Sequence, residues 1–130
     1  MGTTEVNYGS TNTDSNGNFT VGVSGLISGI YTWRVKDPKY LANSGTVILN
    51  GSPQTVVEMG LMKAGDANND NRVTATDFNI TKNTFGKSSG DPGYDDRADF
   101  TGDNIVNATD FNLLKLNFGL AGAQPTSPVR

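Results

Sequence analysis

The 130-residue chain contains no cysteine and no histidine. The first absence excludes disulfides, and the two together disfavour zinc, whose usual ligands are thiolates and imidazoles. With neither residue available, and no pair of free acids in a recognisable site, an enzyme is not expected. No apolar run approaches the ~20 residues that cross a bilayer. Lys and Arg number 10 against 13 Asp and Glu, a net charge of −3 with the signs mixed, so no basic footprint for nucleic acid is present. Residues 1–10 are polar and carry no visible signal peptide, and Met1-Gly2 reads as a start placed on an excised fragment. The length suits one ordinary domain or two small ones. The 16 glycines, with Asn, Thr and Ser at most polar positions, suit a β-rich surface module better than a large enzyme core.

What the chain does have is a repeat at an offset of 33 (99 − 66 = 33). Of the 21 positions from Asp66 to Gly86, 12 recur identically: Asp66, Asp70, Asn71, Val73, Ala75, Thr76, Asp77, Phe78, Asn79, Lys82, Phe85 and Gly86 return as Asp99, Asp103, Asn104, Val106, Ala108, Thr109, Asp110, Phe111, Asn112, Lys115, Phe118 and Gly119. A repeat this dense is a duplicated structural unit.

Each copy opens with an oxygen-rich twelve-residue loop, residues 66–77 and 99–110. Positions 1, 3, 5, 9 and 12 are Asp66, Asn68, Asp70, Thr74 and Asp77 in one, and Asp99, Thr101, Asp103, Asn107 and Asp110 in the other. Calcium is a hard cation taking roughly 6–8 oxygen ligands, and an EF-hand loop supplies them at this spacing with a backbone carbonyl at position 7. Arg72 and Ile105 would give that carbonyl, where the side chain is immaterial. Position 6, where the chain turns sharply, is Asn71 or Asn104 in place of glycine, and Asn tolerates a left-handed backbone next best. Position 12 is Asp, not Glu, which binds through both oxygens if the following helix sits closer. Magnesium fits less well because it demands a tight octahedron and keeps its waters. Val73 and Val106 at position 8 are expected to face inward and pair the two loops. From Lys63 onward all nine acidic residues are Asp, and six are loop ligands. Three carboxylates per loop repel without a cation between them. Two calcium ions would offset that repulsion and couple binding to folding.

The loops are followed by expected helices over 76–85 and 109–118, stopped by Gly86 and Gly119. Phe78 and Phe85 share a face; Phe111, Leu114 and Phe118 form one stripe on the second helix and Leu113, Leu116 and Leu120 another. The second stripe corresponds to Ile80, Asn83 and Lys87 on the first helix, so the second helix has a further apolar face for the β-module or a partner. Residues 87–94 read as a linker and Asp95-Asp96-Arg97 as the start of a short helical turn.

Ahead of the repeat, strands are expected at 4–8, 19–23, 31–36, 46–49 and 55–61, with a turn at the Asn16-Gly17 pair and a loop over 24–30. Tyr31, Trp33 and Val35 point inward and Thr32, Arg34 and Lys36 outward. Short antiparallel strands at this spacing suggest a β-sandwich. Asp14, Asn16, Gly17, Asn18, Phe19 and Thr20, followed by Gly29, Tyr31, Arg34, Val35 and Lys36, resemble the carboxypeptidase regulatory-like, or transthyretin-like, modules of secreted proteins over residues 4–62. Members of that family usually have one or two strands earlier, whose absence here leaves a sheet edge to be covered.

Residues 66–119 resemble a dockerin, a module with two calcium loops each keeping only the exiting helix of an EF-hand. The expected fold class is therefore α+β in two modules, an antiparallel β-sandwich over 1–62 and a dockerin over 63–121, with a disordered tail over 122–130. The junction Lys63-Ala64-Gly65 is so short that the modules should pack together. The resemblance implies binding to a cohesin module of a scaffold protein, and attachment of the parent protein to an extracellular, cellulosome-like assembly. It also implies partner contact at Ala75, Thr76 and Lys82, at Ala108, Thr109 and Lys115, and along the second helix at Leu113 and Leu116. The alternatives are a calcium-stiffened structural module and a carbohydrate-binding module using Tyr31, Trp33 or Tyr40.

Overall fold

The computed structural model describes residues 5–125. In chain order it contains β1 (Gly29–Val35), β2 (Asn43–Leu49), α1 (Ala75–Thr84), a turn of 3-10 helix (Asp96–Ala98) and α2 (Ala108–Asn117). The strands pair antiparallel, with Trp33 opposite Gly45 and Tyr31 opposite Val47. Gly45 makes room for the Trp33 indole, since a Cβ there would lie 2.6 Å from the ring. The Tyr31 hydroxyl closes back on the Ile27 carbonyl at 2.7 Å.

The expected β-sandwich is not seen: among the described residues the sheet has two strands. Residues 5–8, 19–23 and 55–61 form no ladder, while Thr4 lies outside the described residues. Alternation specifies a strand only when one face has something to bury against. Val21 and Val56 instead stay 36% and 89% exposed. The Asn16-Gly17 turn does form: Asp14 Oδ1 accepts from the Asn16 and Asn18 N–H groups at 2.8 and 3.0 Å. Residues 55–61 run beside β2, held through its first residue, where the Asn43 amide donates to the Met59 and Leu61 carbonyls. The strand expected from residue 31 starts two residues earlier, at Gly29, and the one expected from 46 starts at Asn43.

The helices match the sequence closely. Each starts one residue before its expected position, and the chain leaves α-helical geometry at Phe85 and Phe118, whose ψ is 134°. Gly86 and Gly119 follow with φ of +83° and +86°, the left-handed conformation in which glycine is least strained. The same exit moves Phe85 and Phe118 off their helical faces, so they are half-exposed (50% and 52%), not core. Phe78 and Phe111, 33 residues apart, meet edge to face with centroids 5.9 Å apart.

The core is built from Leu41, Ala64, Ala67, Val73, Phe100 and Leu114, with Tyr40, Phe78, Ile80 and Leu113 packed against it. It draws on residues from both sides of the expected boundary at 62/63. Residues 36–42, the link between β1 and β2, form a strap over the repeat region. The Lys39 carbonyl accepts from the Gly65 and Asp66 N–H groups, and Leu41 N–H donates to the Lys63 carbonyl. The Tyr40 hydroxyl donates to the Phe100 carbonyl at 2.6 Å.

Gly122 and Ala123, expected in the disordered tail, are held in place. Gly122 N–H donates to the Asn71 carbonyl and Ala123 N–H to the Ala42 carbonyl. The Ala123 carbonyl accepts from Arg34 Nε and from the Asn71 amide, both at 2.9 Å. Residues 126–130 of that tail lie outside the described residues. A Cβ on Gly122 would stand 2.1 Å from Asn71 Oδ1 and 2.5 Å from the Ala42 nitrogen, so neither neighbour can yield without losing a hydrogen bond. Gly122→Ala is expected to destabilise the fold by about 1–3 kcal/mol, the usual range for overpacking, read as a lower midpoint in denaturant at fixed calcium. An unchanged midpoint would contradict this closure.

Candidate metal centres

Two clusters of carboxylates come together, Asp66 with Asp70 and Asp77, and Asp99 with Asp103 and Asp110; within each, the nearest oxygens all lie within 4.8 Å of one another. Asp66, Asp77 and Asp110 are fully buried and Asp99 nearly so, while Asp70 and Asp103 face solvent. Like charges this close oppose ionisation unless donors or a cation balance them.

The loops supply many donors in a pattern the repeat copies. Asp66 accepts from the Asp70 N–H (2.9 Å) and Asn71 N–H (2.7 Å). Asp99 accepts from the Asp103 N–H (3.2 Å) and Asn104 N–H (2.8 Å). Asp77 accepts from the Asn68 and Thr74 N–H groups, and Asp110 from those of Thr101 and Asn107. The turn at position 6 has the expected left-handed backbone, with φ of +66° at Asn71 and +68° at Asn104. The Asp99 carboxyl is held below the usual carboxylate range: burial pushes it up, but the Asn104 N–H, the Tyr94 hydroxyl and further loop donors together outweigh that. Tyr94, whose hydroxyl lies 3.1 Å from Asp99 Oδ2, is pushed up to about 12 by desolvation and by that carboxylate.

The position-9 residues have a local task. Thr74 and Asn107 are the N-caps of α1 and α2, and their side chains accept from the Thr76 and Thr109 N–H groups at 3.3 and 2.9 Å. Asp77 and Asp110 complete capping boxes by accepting from the cap residue's own N–H. Position 12 thus joins each cluster to the start of its helix. Asp is long enough because it sits in the first helical turn, where the helix dipole also favours a negative charge.

The donor set is all oxygen, and the same six Asp residues expected from the sequence converge. That chemistry fits a hard divalent cation of the calcium class better than zinc. Asn68 lies in the first cluster, its amide donating to Asp70 Oδ2 at 3.1 Å. The Thr101 hydroxyl reaches Asp99 and Asp110 in the second. Arg72 and Ile105 stand at position 7, each sending its N–H to the position-5 carboxylate at 3.0 Å.

Val73 and Val106 are fully buried, as expected, but the expectation that they pair the two loops is corrected. Val73 N–H donates to the Leu120 carbonyl, and the Val73 carbonyl accepts from Gly119 N–H; Val106 makes the equivalent bonds with Lys87 and Gly86. Each loop is therefore closed by the turn leaving the other repeat's helix. The left-handed glycines send the chain back past the opposite loop, which satisfies the backbone groups there.

Of the residues expected at a partner surface, Ala75, Thr76, Lys82, Ala108, Thr109, Lys115 and Leu116 are exposed. Leu113 is half-buried and packs against the core. Three contacts bordering the sites have no counterpart in the sequence pattern. Lys36 Nζ lies 3.0 Å from Asp66 Oδ2, Tyr94 bonds Asp99, and Asn71 Oδ1 accepts from the Ala42 N–H at 2.8 Å. The only signal for Asn71 was its place at position 6.

Comparisons with known proteins agree with this geometry. No curated protein matches the chain. Among the solved structures that resemble it are two of type II cohesin–X-dockerin complexes from Acetivibrio cellulolyticus. The chain from an N-terminal interface mutant is 23% identical with a TM-score of 0.62, the match covering 75% of this chain and 67% of that one. The chain from a C-terminal interface mutant is 26% identical with a TM-score of 0.65, the match covering 85% of this chain and 74% of that one. These shares exceed what residues 64–118 alone supply, so the likeness continues into the N-terminal part. The family model for the dockerin type I domain matches residues 64–118, the stretch that holds both carboxylate clusters and both helices.

Proposed function

We propose that residues 64–118 form a non-catalytic, calcium-dependent module that binds a cohesin and so anchors its parent protein in an extracellular, cellulosome-like assembly. The observation that carries this reading is the pair of convergent carboxylate clusters, each tied through its position-12 Asp to the start of a helix. The dockerin type I match and the two solved cohesin–X-dockerin complexes support it.

In this reading one calcium is held by Asp66, Asn68, Asp70, Asp77 and the Arg72 carbonyl, and the other by Asp99, Thr101, Asp103, Asp110 and the Ile105 carbonyl. Thr74 and Asn107 reach the ion at most through a water, as position 9 often does in such loops, because their side chains already cap the helices. The cohesin would meet the outer faces of α1 and α2 at Ala75, Thr76 and Lys82 and at Ala108, Thr109, Lys115 and Leu116. Leu116, an apolar side chain 77% exposed on a helix, favours a protein partner. The N-terminal part would correspond to the X portion of the X-dockerin chains, with the strap over 36–42 seating it on the dockerin. The carbohydrate alternative has less support, since the Trp33 indole lies against Gly45 and the Tyr40 hydroxyl is bonded to a backbone carbonyl.

Asp70→Ala with Asp103→Ala is expected to abolish binding of both calcium ions in a calorimetric titration; two ions bound with unchanged affinity would show that the ligands are misassigned. A panel of immobilised cohesins should capture the chain in calcium and release it in chelator. Capture by none of them, from a chain that binds two calcium ions, would leave the stiffening role. Thr74→Ala should cost about 1 kcal/mol of stability, as loss of an N-cap does, while calcium stoichiometry stays at two. Loss of one ion would instead make Thr74 a direct ligand.

A further inference from the structure

The two metal centres are copies in sequence, yet what leans on their first ligand differs. At Asp66, the oxygen Oδ2 accepts from the Lys36 ammonium at 3.0 Å. The same ammonium donates to Asn69 Oδ1 within that loop and to the Asp37 carbonyl, both at 2.7 Å. Asp66 is fully buried and the Lys36 side chain only 17% exposed, so this ion pair is shielded from solvent. At the equivalent oxygen of Asp99 the donor is the neutral hydroxyl of Tyr94. Lys39 also approaches the second loop, but it meets the Asp99 backbone carbonyl at 3.2 Å and pairs with Asp96, which belongs to neither cluster.

We infer that the two calcium sites are unequal, the first being the weaker, because Lys36 places a fixed positive charge on one of its ligands. The inference rests on the ligand reading proposed above. Lys36 has two opposing effects, repelling the incoming cation and orienting Asp66. The second is redundant, since the Asp70 and Asn71 N–H groups already fix that carboxylate. Repulsion therefore decides. A unit charge one carboxylate away from a divalent ion, in partly shielded surroundings, weakens binding by roughly tenfold or more. Lys36 directly follows β1, so calcium at the first site and the docking of the β-hairpin act against each other through this side chain. Without calcium, the same ammonium relieves the repulsion among the three carboxylates and keeps the first loop closer to its folded shape.

The test is a calcium titration of the full chain by calorimetry, comparing wild type with Lys36→Met and Lys39→Met. Wild type should bind two ions in steps separated by roughly tenfold. Lys36→Met should tighten the weaker step by a similar factor and leave the stronger one in place, while Lys39→Met keeps the gap. Asp103→Ala, which leaves the first site, should bind its remaining ion more weakly than Asp70→Ala, which leaves the second. If Lys36→Met leaves both steps unchanged or weakens one, the inference is overturned. It is also overturned if the Asp103→Ala protein binds at least as tightly as the Asp70→Ala protein. Should either single-site protein fail to fold, the wild-type and Lys36→Met titrations decide alone. Retention of two ions by both aspartate variants would overturn the ligand reading itself, and the inference with it.

Discussion

The structure depends on electrostatic compensation among buried carboxylates. Two clusters of three Asp side chains, most of them shut off from water, are held together by backbone N–H groups turned inward by left-handed residues at position 6. Such a loop is stable only when its charge is balanced. Its last carboxylate caps the next helix, so the cluster and the helix start share one side chain at each repeat. Among the described residues the buried apolar side chains are few and mostly small, four of the nine being alanines.

The repeat then closes on itself. Each loop is finished by the turn after the opposite helix, so neither half completes its backbone hydrogen bonds alone. The edge-to-face contact of Phe78 with Phe111 brings matching residues of the two copies together. The outer helix faces are left free, with small residues and a lysine at equivalent places. The symmetry breaks where the second helix has Leu116 in the place of Asn83 on the first, and where Lys36 and Tyr94 touch corresponding carboxylates.

Much of this was legible in the sequence because it is local. Ligand spacing, the Asn turns and the glycine stops act within a dozen residues, and they set both helices to within one residue. The capping role of Thr74 and Asn107 was equally local, but it was hidden by their value as oxygen donors. The β-sandwich was not borne out, because alternation at residues 19–23 and 55–61 specifies a strand only where a facing surface exists. The Asn71 amide that ties Ala42 to Ala123, the Lys36 pair and the crossed closure of Val73 and Val106 join residues distant in sequence. No local pattern announces them. The exposure of Phe85 and Phe118 follows from the chain leaving the helix one residue before the stripe ends.

The central claim is that a cation in each carboxylate cluster holds the crossed closure of the repeat. The most direct measurement is amide hydrogen exchange at Val73 and Val106, whose N–H groups donate to the opposite repeat. Both should be strongly protected in calcium and should lose protection together when chelator removes it. Equal protection at both positions with and without calcium would contradict the account.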